Sequence, residues 1–101
     1  NKKSIDIIKE LEEFGINVIV YDPIANEEEV WEEYRINLAN KDDLKNLNCV
    51  VLAVAHNEFK DNINFDFLDS LYVDDKKVLI DIKNMIDKKE CELKGYIYWS
   101  L

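Results

Sequence analysis

Apolar and polar residues follow two rhythms along this chain. Over residues 5–14, Ile5, Ile8, Leu11 and Phe14, with Ile7 beside them, recur at spacings of three and four opposite Lys9, Glu10 and Glu13. That is the stripe of an amphipathic helix. Gly15 follows where a left-handed residue ends a helix, and Asn17-Val18-Ile19-Val20-Tyr21 then reads as a strand that stops at Asp22-Pro23. Asn26 ahead of Glu27-Glu28-Glu29 has the form of an N-cap and an acidic first turn, with Val30, Trp31 and Tyr34 continuing the helix. Ile36-Asn37-Leu38 predicts a short strand, and residues 41–47 a short helix with Leu44 and Leu47 facing inward.

The second rhythm is the unbroken apolar run Cys49-Val50-Val51-Leu52-Ala53-Val54-Ala55, which ends at His56. A Val-rich run without polar alternation predicts a central strand buried on both faces, over residues 49–55. Beyond it, Asn64 is placed as an N-cap, with Ile63 positioned to staple onto Leu68, for a helix over residues 65–71. Residues 77–82 and 96–100 predict two further strands, and residues 87–93 a polar, irregular connection. Helices alternating with strands across short connections predict an α/β domain: a Rossmann-like, mainly parallel sheet with helices on both faces. A chain of 101 residues suits one such domain, residues 1–101.

Charge and composition narrow the functional classes. Thirteen basic against 22 acidic residues give a net charge of −9, which opposes general affinity for nucleic acid or for an anionic membrane. No apolar run approaches the roughly 20 residues of a membrane span, and the opening Asn1-Lys2-Lys3-Ser4 lacks a signal-peptide core, so a cytoplasmic location is expected. Cys49 and Cys91 have neither CxxC nor Cys/His ligand spacing, so two reduced structural thiols are expected, and no metal site. Gly15 and Gly95 are the two glycines, too few for a loop that cradles a pyrophosphate.

In open parallel sheets, ligands sit beyond the carboxyl ends of the strands. That edge would receive Asp22, His56, Asp81 and Lys83. Lys83 is the candidate for holding an anion, against the plainer reading of a solvated lysine. His56 suits a general base or a phosphate donor, against a helix cap or a backbone hydrogen bond. Asp22 before Pro23 fits a ligand contact or an Asx-type turn. No nucleophile with a matched base stands at this edge, so no catalytic residue is assigned.

The stretches Val18-Ile19-Val20-Tyr21-Asp22-Pro23, Val51-Leu52-Ala53-Val54-Ala55-His56-Asn57-Glu58-Phe59, Asp81-Ile82-Lys83-Asn84 and Tyr96-Ile97-Tyr98-Trp99-Ser100-Leu101 together resemble the C-terminal domain of the UDP-glucose/GDP-mannose dehydrogenase family. The likeness is greatest to the branch that oxidises UDP-N-acetyl-hexosamines, such as UDP-N-acetylmannosamine, for surface polysaccharide synthesis. The resemblance implies a longer parent enzyme: an NAD-binding N-terminal domain, a helical middle domain carrying much of the dimer interface, and this domain closing over the UDP part of the substrate. In the parent, two NAD⁺ convert the sugar's hydroxymethyl to a carboxylate through a cysteine thioester.

Cys49 and Cys91 do not match that catalytic cysteine, so the chain by itself is expected to be inactive and to bind no NAD. By the same resemblance, the first strand of the family domain and its arginine-containing UDP loop are missing, and the chain is a fragment of a homo-oligomeric dehydrogenase. The residues expected to contact substrate are Lys83, His56, Asp22 and Tyr21. Asn84 departs from the family, whose members usually carry glycine after Asp-x-Lys. The competing class is a non-catalytic regulatory or dimer-ordering α/β domain, such as a receiver-like module.

Overall fold

The computed structural model describes residues 2–53, 57, 61 and 63–101. It divides into two compact units, Asn1–Leu44 and Lys45–Leu101.

In the first unit, helix α1 spans Lys2–Glu13. Ile5, Ile7, Ile8 and Leu11 are half-buried, as the stripe requires, whereas Phe14 lies beyond the helix in a turn and is exposed. The helix ends at Gly15, whose φ of +81° is the left-handed value that closes a helix and that a side chain would strain. Helix α2 spans Glu27–Tyr34; the Asn26 side chain accepts from the Glu29 N–H at 3.0 Å, the expected cap. The expected strands at 17–21 and 36–38 shrink to one parallel bridge, Val20 to Leu38, with the Ala39 N–H donating to the Val20 carbonyl at 2.7 Å. The helix expected over 41–47 is a single 3₁₀ turn, Lys41–Asp43. Leu44, with φ −81° and ψ 96°, is already extended and ends it, and Asn46 beyond turns left-handed at φ +56°.

The second unit carries the parallel sheet. Strand β1 spans Cys49–Leu52, helix α3 Phe65–Leu71, strand β2 Lys77–Asp81, helix α4 Lys88–Leu93 and strand β3 Tyr96–Ser100. The strand order is β1-β2-β3, both pairs parallel, so three strands form among the described residues where five were expected. The register sets Val50 beside Leu79 beside Tyr98, and Leu52 beside Asp81 beside Ser100.

Residues in register share a face, and one face is the core. Leu52, Leu79, Asp81, Tyr96 and Tyr98 are buried there with Leu68, Leu71 and Cys91 from the helices. Leu79 is completely buried, worth about 1.5–3 kcal/mol of apolar transfer. The other face is more open: Cys49 is exposed, as are Val51, Ile97 and Trp99. Burial on both faces is therefore not what Cys49–Leu52 shows; residues 54 and 55 of the expected strand lie outside the described residues. Its apolar character reports a strand, not a cover on each side.

Helix α4 replaces the irregular connection expected at 87–93. Asp87 caps it by accepting from the Glu90 N–H at 3.0 Å, and Cys91 is its buried residue. The Asn64 cap of α3 forms as expected, accepting from the Phe67 N–H at 2.9 Å, and Ile63 and Leu68 are both buried. No helix among the described residues is long and apolar enough to cross a membrane.

Candidate functional site at the carboxyl end of strand β2

The last residue of β2, Asp81, is fully buried. Its Oδ2 accepts three hydrogen bonds: from the Met85 N–H at 2.7 Å, the Ile86 N–H at 2.8 Å and the Tyr98 hydroxyl at 2.7 Å. Such charge-assisted bonds are roughly twice as strong as neutral ones. Oδ1 is also buried and has no hydrogen-bond partner among the described residues. The Tyr98 hydroxyl also lies 2.9 Å from the Ile86 carbonyl and 3.5 Å from Asn84 Oδ1, so its one proton is shared among three acceptors. Burial, and then the hydrogen bond and charge of Asp81, push the Tyr98 phenol far up, which keeps that proton in place.

This buried carboxylate folds the turn that follows it. The Ile82 N–H donates to the Leu52 carbonyl on β1 at 3.0 Å, and the Asn84 N–H to the Asp81 carbonyl at 3.3 Å. Asn84 takes φ +52°, the left-handed region where glycine is easiest and asparagine is among the better-tolerated side chains. The departure from the family's usual glycine thus keeps the turn's shape. Lys83 and Asn84 are left exposed at its apex. Among the described residues, no hydrogen bond or ion pair holds the Lys83 ammonium, which leaves its charge available to an anion beyond the strand end.

Tyr21 and Asp22 belong to the first unit, just past the Val20 bridge. The Asp22 carboxylate is used locally, its Oδ1 accepting from the Ile24 N–H at 2.9 Å and the Ala25 N–H at 3.1 Å. That is the Asx-type turn, the plainer of its two readings. His56 lies outside the described residues. The residue that sequence reasoning undervalued is Asp81, noted there only as a strand-end acid; its burial depends on Tyr98, from another strand. A carboxylate that a receiver would phosphorylate must be reachable, and Asp81 is fully enclosed.

Two further features bear on what the surface can hold. In the first unit, Glu27, Glu28, Trp31, Glu32, Asn37 and Leu38 line a hollow of about 290 Å³. Three glutamates make it repel a diphosphate. At the opposite end of β2, the Lys77 ammonium lies 3.1 Å from Asp69 Oδ1 and 4.5 Å from the centre of the Tyr96 ring, and the Tyr96 hydroxyl donates to the same carboxylate. Partial burial works to raise the Asp69 carboxyl. The hydrogen bonds from Tyr96 and Lys77 and the charges of Lys77 and Lys94 outweigh it and leave the group below its usual range. This cluster ties α3 to the start of β2 and β3 and is structural.

Comparison with known proteins supplies the context. The family described as "UDP-glucose/GDP-mannose dehydrogenase family, UDP binding domain" matches residues 1–88, which include Asp81 and Lys83. UDP-N-acetyl-D-glucosamine 6-dehydrogenase of Pseudomonas aeruginosa is 34% identical over 94 residues, 93% of this chain and 22% of that protein. Protein CapL of Staphylococcus aureus is 34% identical over 101 residues, 100% of this chain and 23% of CapL. UDP-N-acetyl-D-glucosamine 6-dehydrogenase of Salmonella typhi is 29% identical over 94 residues, again 93% of this chain and 22% of the relative. The chain thus spans less than a quarter of the length of these relatives. No solved structure matches it.

Proposed function

Because this chain belongs to the UDP-glucose/GDP-mannose dehydrogenase family, through its UDP binding domain, we propose that it grips the UDP end of the substrate in an NAD-dependent nucleotide-sugar 6-dehydrogenase. The observation that carries the reading is Lys83, a cation at the exposed apex of the turn beyond β2 in an otherwise acidic chain. An ammonium there offers a point charge and rotatable donors to a diphosphate oxygen.

The relatives named as UDP-N-acetyl-D-glucosamine 6-dehydrogenases favour a UDP-N-acetyl-hexosamine as the sugar. The parent enzyme oxidises the sugar's hydroxymethyl to a carboxylate, releasing four electrons that reduce two NAD⁺ to NADH; water supplies the second carboxylate oxygen. A separate N-terminal domain binds the NAD. The parent works as a homo-oligomer in the cytoplasm, in surface polysaccharide biosynthesis. This chain contributes substrate affinity and orientation and leaves bond making to the rest.

Calorimetric titration of UDP and of NAD⁺ into the chain tests the division of labour. UDP is expected to bind saturably and weakly, more weakly still as salt screens the Lys83 charge. NAD⁺ is expected to give no saturable heat, and micromolar NAD⁺ binding would overturn the assignment. In the full-length enzyme, two NADH should form for each UDP-N-acetyl-hexosamine consumed.

A further inference from the structure

We propose that Asp81 is the positioning residue for Lys83: its buried carboxylate closes the turn and so fixes where the ammonium stands. The inference rests on the reading of Lys83 as the anion contact and extends it to a residue that touches no ligand.

Lys83 sits in a short arc anchored at both ends. On the upstream side, the Ile82 N–H is tied to the Leu52 carbonyl of β1. On the downstream side, the Met85 and Ile86 amides both converge on Asp81 Oδ2, within 2.8 Å. Tyr98 holds the same oxygen from β3 at 2.7 Å, so the carboxylate cannot turn away without breaking contacts to two elements. Asn84 contributes the left-handed backbone that brings the chain round. Between the anchors Lys83 and Asn84 are the exposed residues, with Asn84 Oδ1 lying 3.5 Å from the Tyr98 hydroxyl.

A long lysine side chain on a loose loop loses much rotamer and backbone freedom when it grips an anion. A stem held in place has part of that loss already met, which is how remote packing raises affinity without touching ligand. A carboxylate suits the task because it is purely an acceptor and can take two amides and a hydroxyl together. Asparagine can set its carbonyl oxygen where Oδ2 stands, but it brings no charge to strengthen the three bonds, and its amide would occupy the place of the unpartnered Oδ1.

A double-mutant cycle with UDP as the probe, followed by NMR titration of the chain, separates positioning from general damage. Lys83→Ala is expected to weaken UDP about tenfold, the loss of one charge-assisted contact. Asp81→Asn is expected to weaken it by a comparable factor, and the double variant by no more than Lys83→Ala alone. Faster amide exchange at Met85 and Ile86 should accompany Asp81→Asn. Should that variant fail to fold, Tyr98→Phe is the milder probe, leaving Asp81 and both amides in place; its smaller loss should likewise disappear in the Lys83→Ala background. Independent losses that multiply to about a hundredfold in the double variant would overturn the proposal. So would UDP affinity that Asp81→Asn leaves unchanged. If Lys83→Ala binds UDP like the unmodified chain, or the unmodified chain does not bind it, the parent reading fails and this inference with it.

Discussion

Tyr98→Phe removes one oxygen and leaves the ring, so its cost measures the hydroxyl's hydrogen bonds, of which the one to the Asp81 carboxylate is charge-assisted. The hydroxyl stands 2.7 Å from a carboxylate oxygen that is completely buried, and 2.9 Å from the Ile86 carbonyl. A hydrogen bond to a charged group contributes about 1.5–3 kcal/mol, against about 0.5–1.5 for a neutral one. Two amides still hold Asp81 in the variant, so its charge is not abandoned. The loss should therefore stay below the roughly 3–5 kcal/mol of a broken buried ion pair, at about 2 kcal/mol.

Tyr96→Phe is the matched control. It too removes a phenol from a carboxylate, but the Asp69 side chain is 50% exposed, so water replaces the bond. Its cost should be below about 1 kcal/mol. Urea unfolding of both variants, with equal slopes, reads the difference directly. On melting, Tyr98→Phe should lie at least about 8 °C below the parent for a unit of this size. Equal midpoints for the two variants, or a loss under about 0.5 kcal/mol in Tyr98→Phe, would refute the claim that Asp81 is held by a buried network.

Three further outcomes are expected. Asn84→Gly should preserve stability within a few tenths of a kcal/mol, whereas Asn84→Val should cost about 1–2 kcal/mol, because a β-branched side chain resists the left-handed region at φ +52°. The Asp69 carboxyl is depressed in the folded chain, so its contribution is complete above the ordinary carboxylate pKa and is lost as pH falls through the lower folded value. Asp69→Asn should accordingly lower stability from neutral pH upward and flatten the acid limb, the difference from the unmodified chain closing as pH falls. An aromatic disulfide reagent should titrate the exposed Cys49 in the native chain but reach Cys91 only on unfolding, since Cys91 is fully buried and its thiol is pushed up to about 11, by burial first and by the charge of Asp81 second.

Much of the element pattern was legible because its signals are local. Asn26 and Asn64 announce their helices through side-chain caps three residues long, and the apolar centres of 77–81 and 96–100 leave few other readings. Helix α4 escaped because its six residues are mostly charged, yet Asp87-Lys88-Lys89-Glu90 carries a capping pattern that would have exposed it. The strands expected at 17–21 and 36–38 failed for a different reason: a strand is completed by its neighbours, and among the described residues these two segments form one bridge. The same lesson applies to the 49–55 run, where composition revealed a strand but not which faces would be covered. At the candidate site, Lys83 was visible as a cation in an acidic chain. Asp81 was not visible as its anchor, because the hydroxyl it needs comes from β3, 17 residues later.

The central claim is that the turn beyond β2 meets the UDP phosphates through Lys83. Its most direct test is to follow backbone amide signals of the chain through a UDP titration. The largest shifts should fall on residues 82–86, should weaken with added salt, and should collapse in Lys83→Ala. Shifts centred on the Trp31 hollow, or a response in Lys83→Ala equal to that of the unmodified chain, would contradict it.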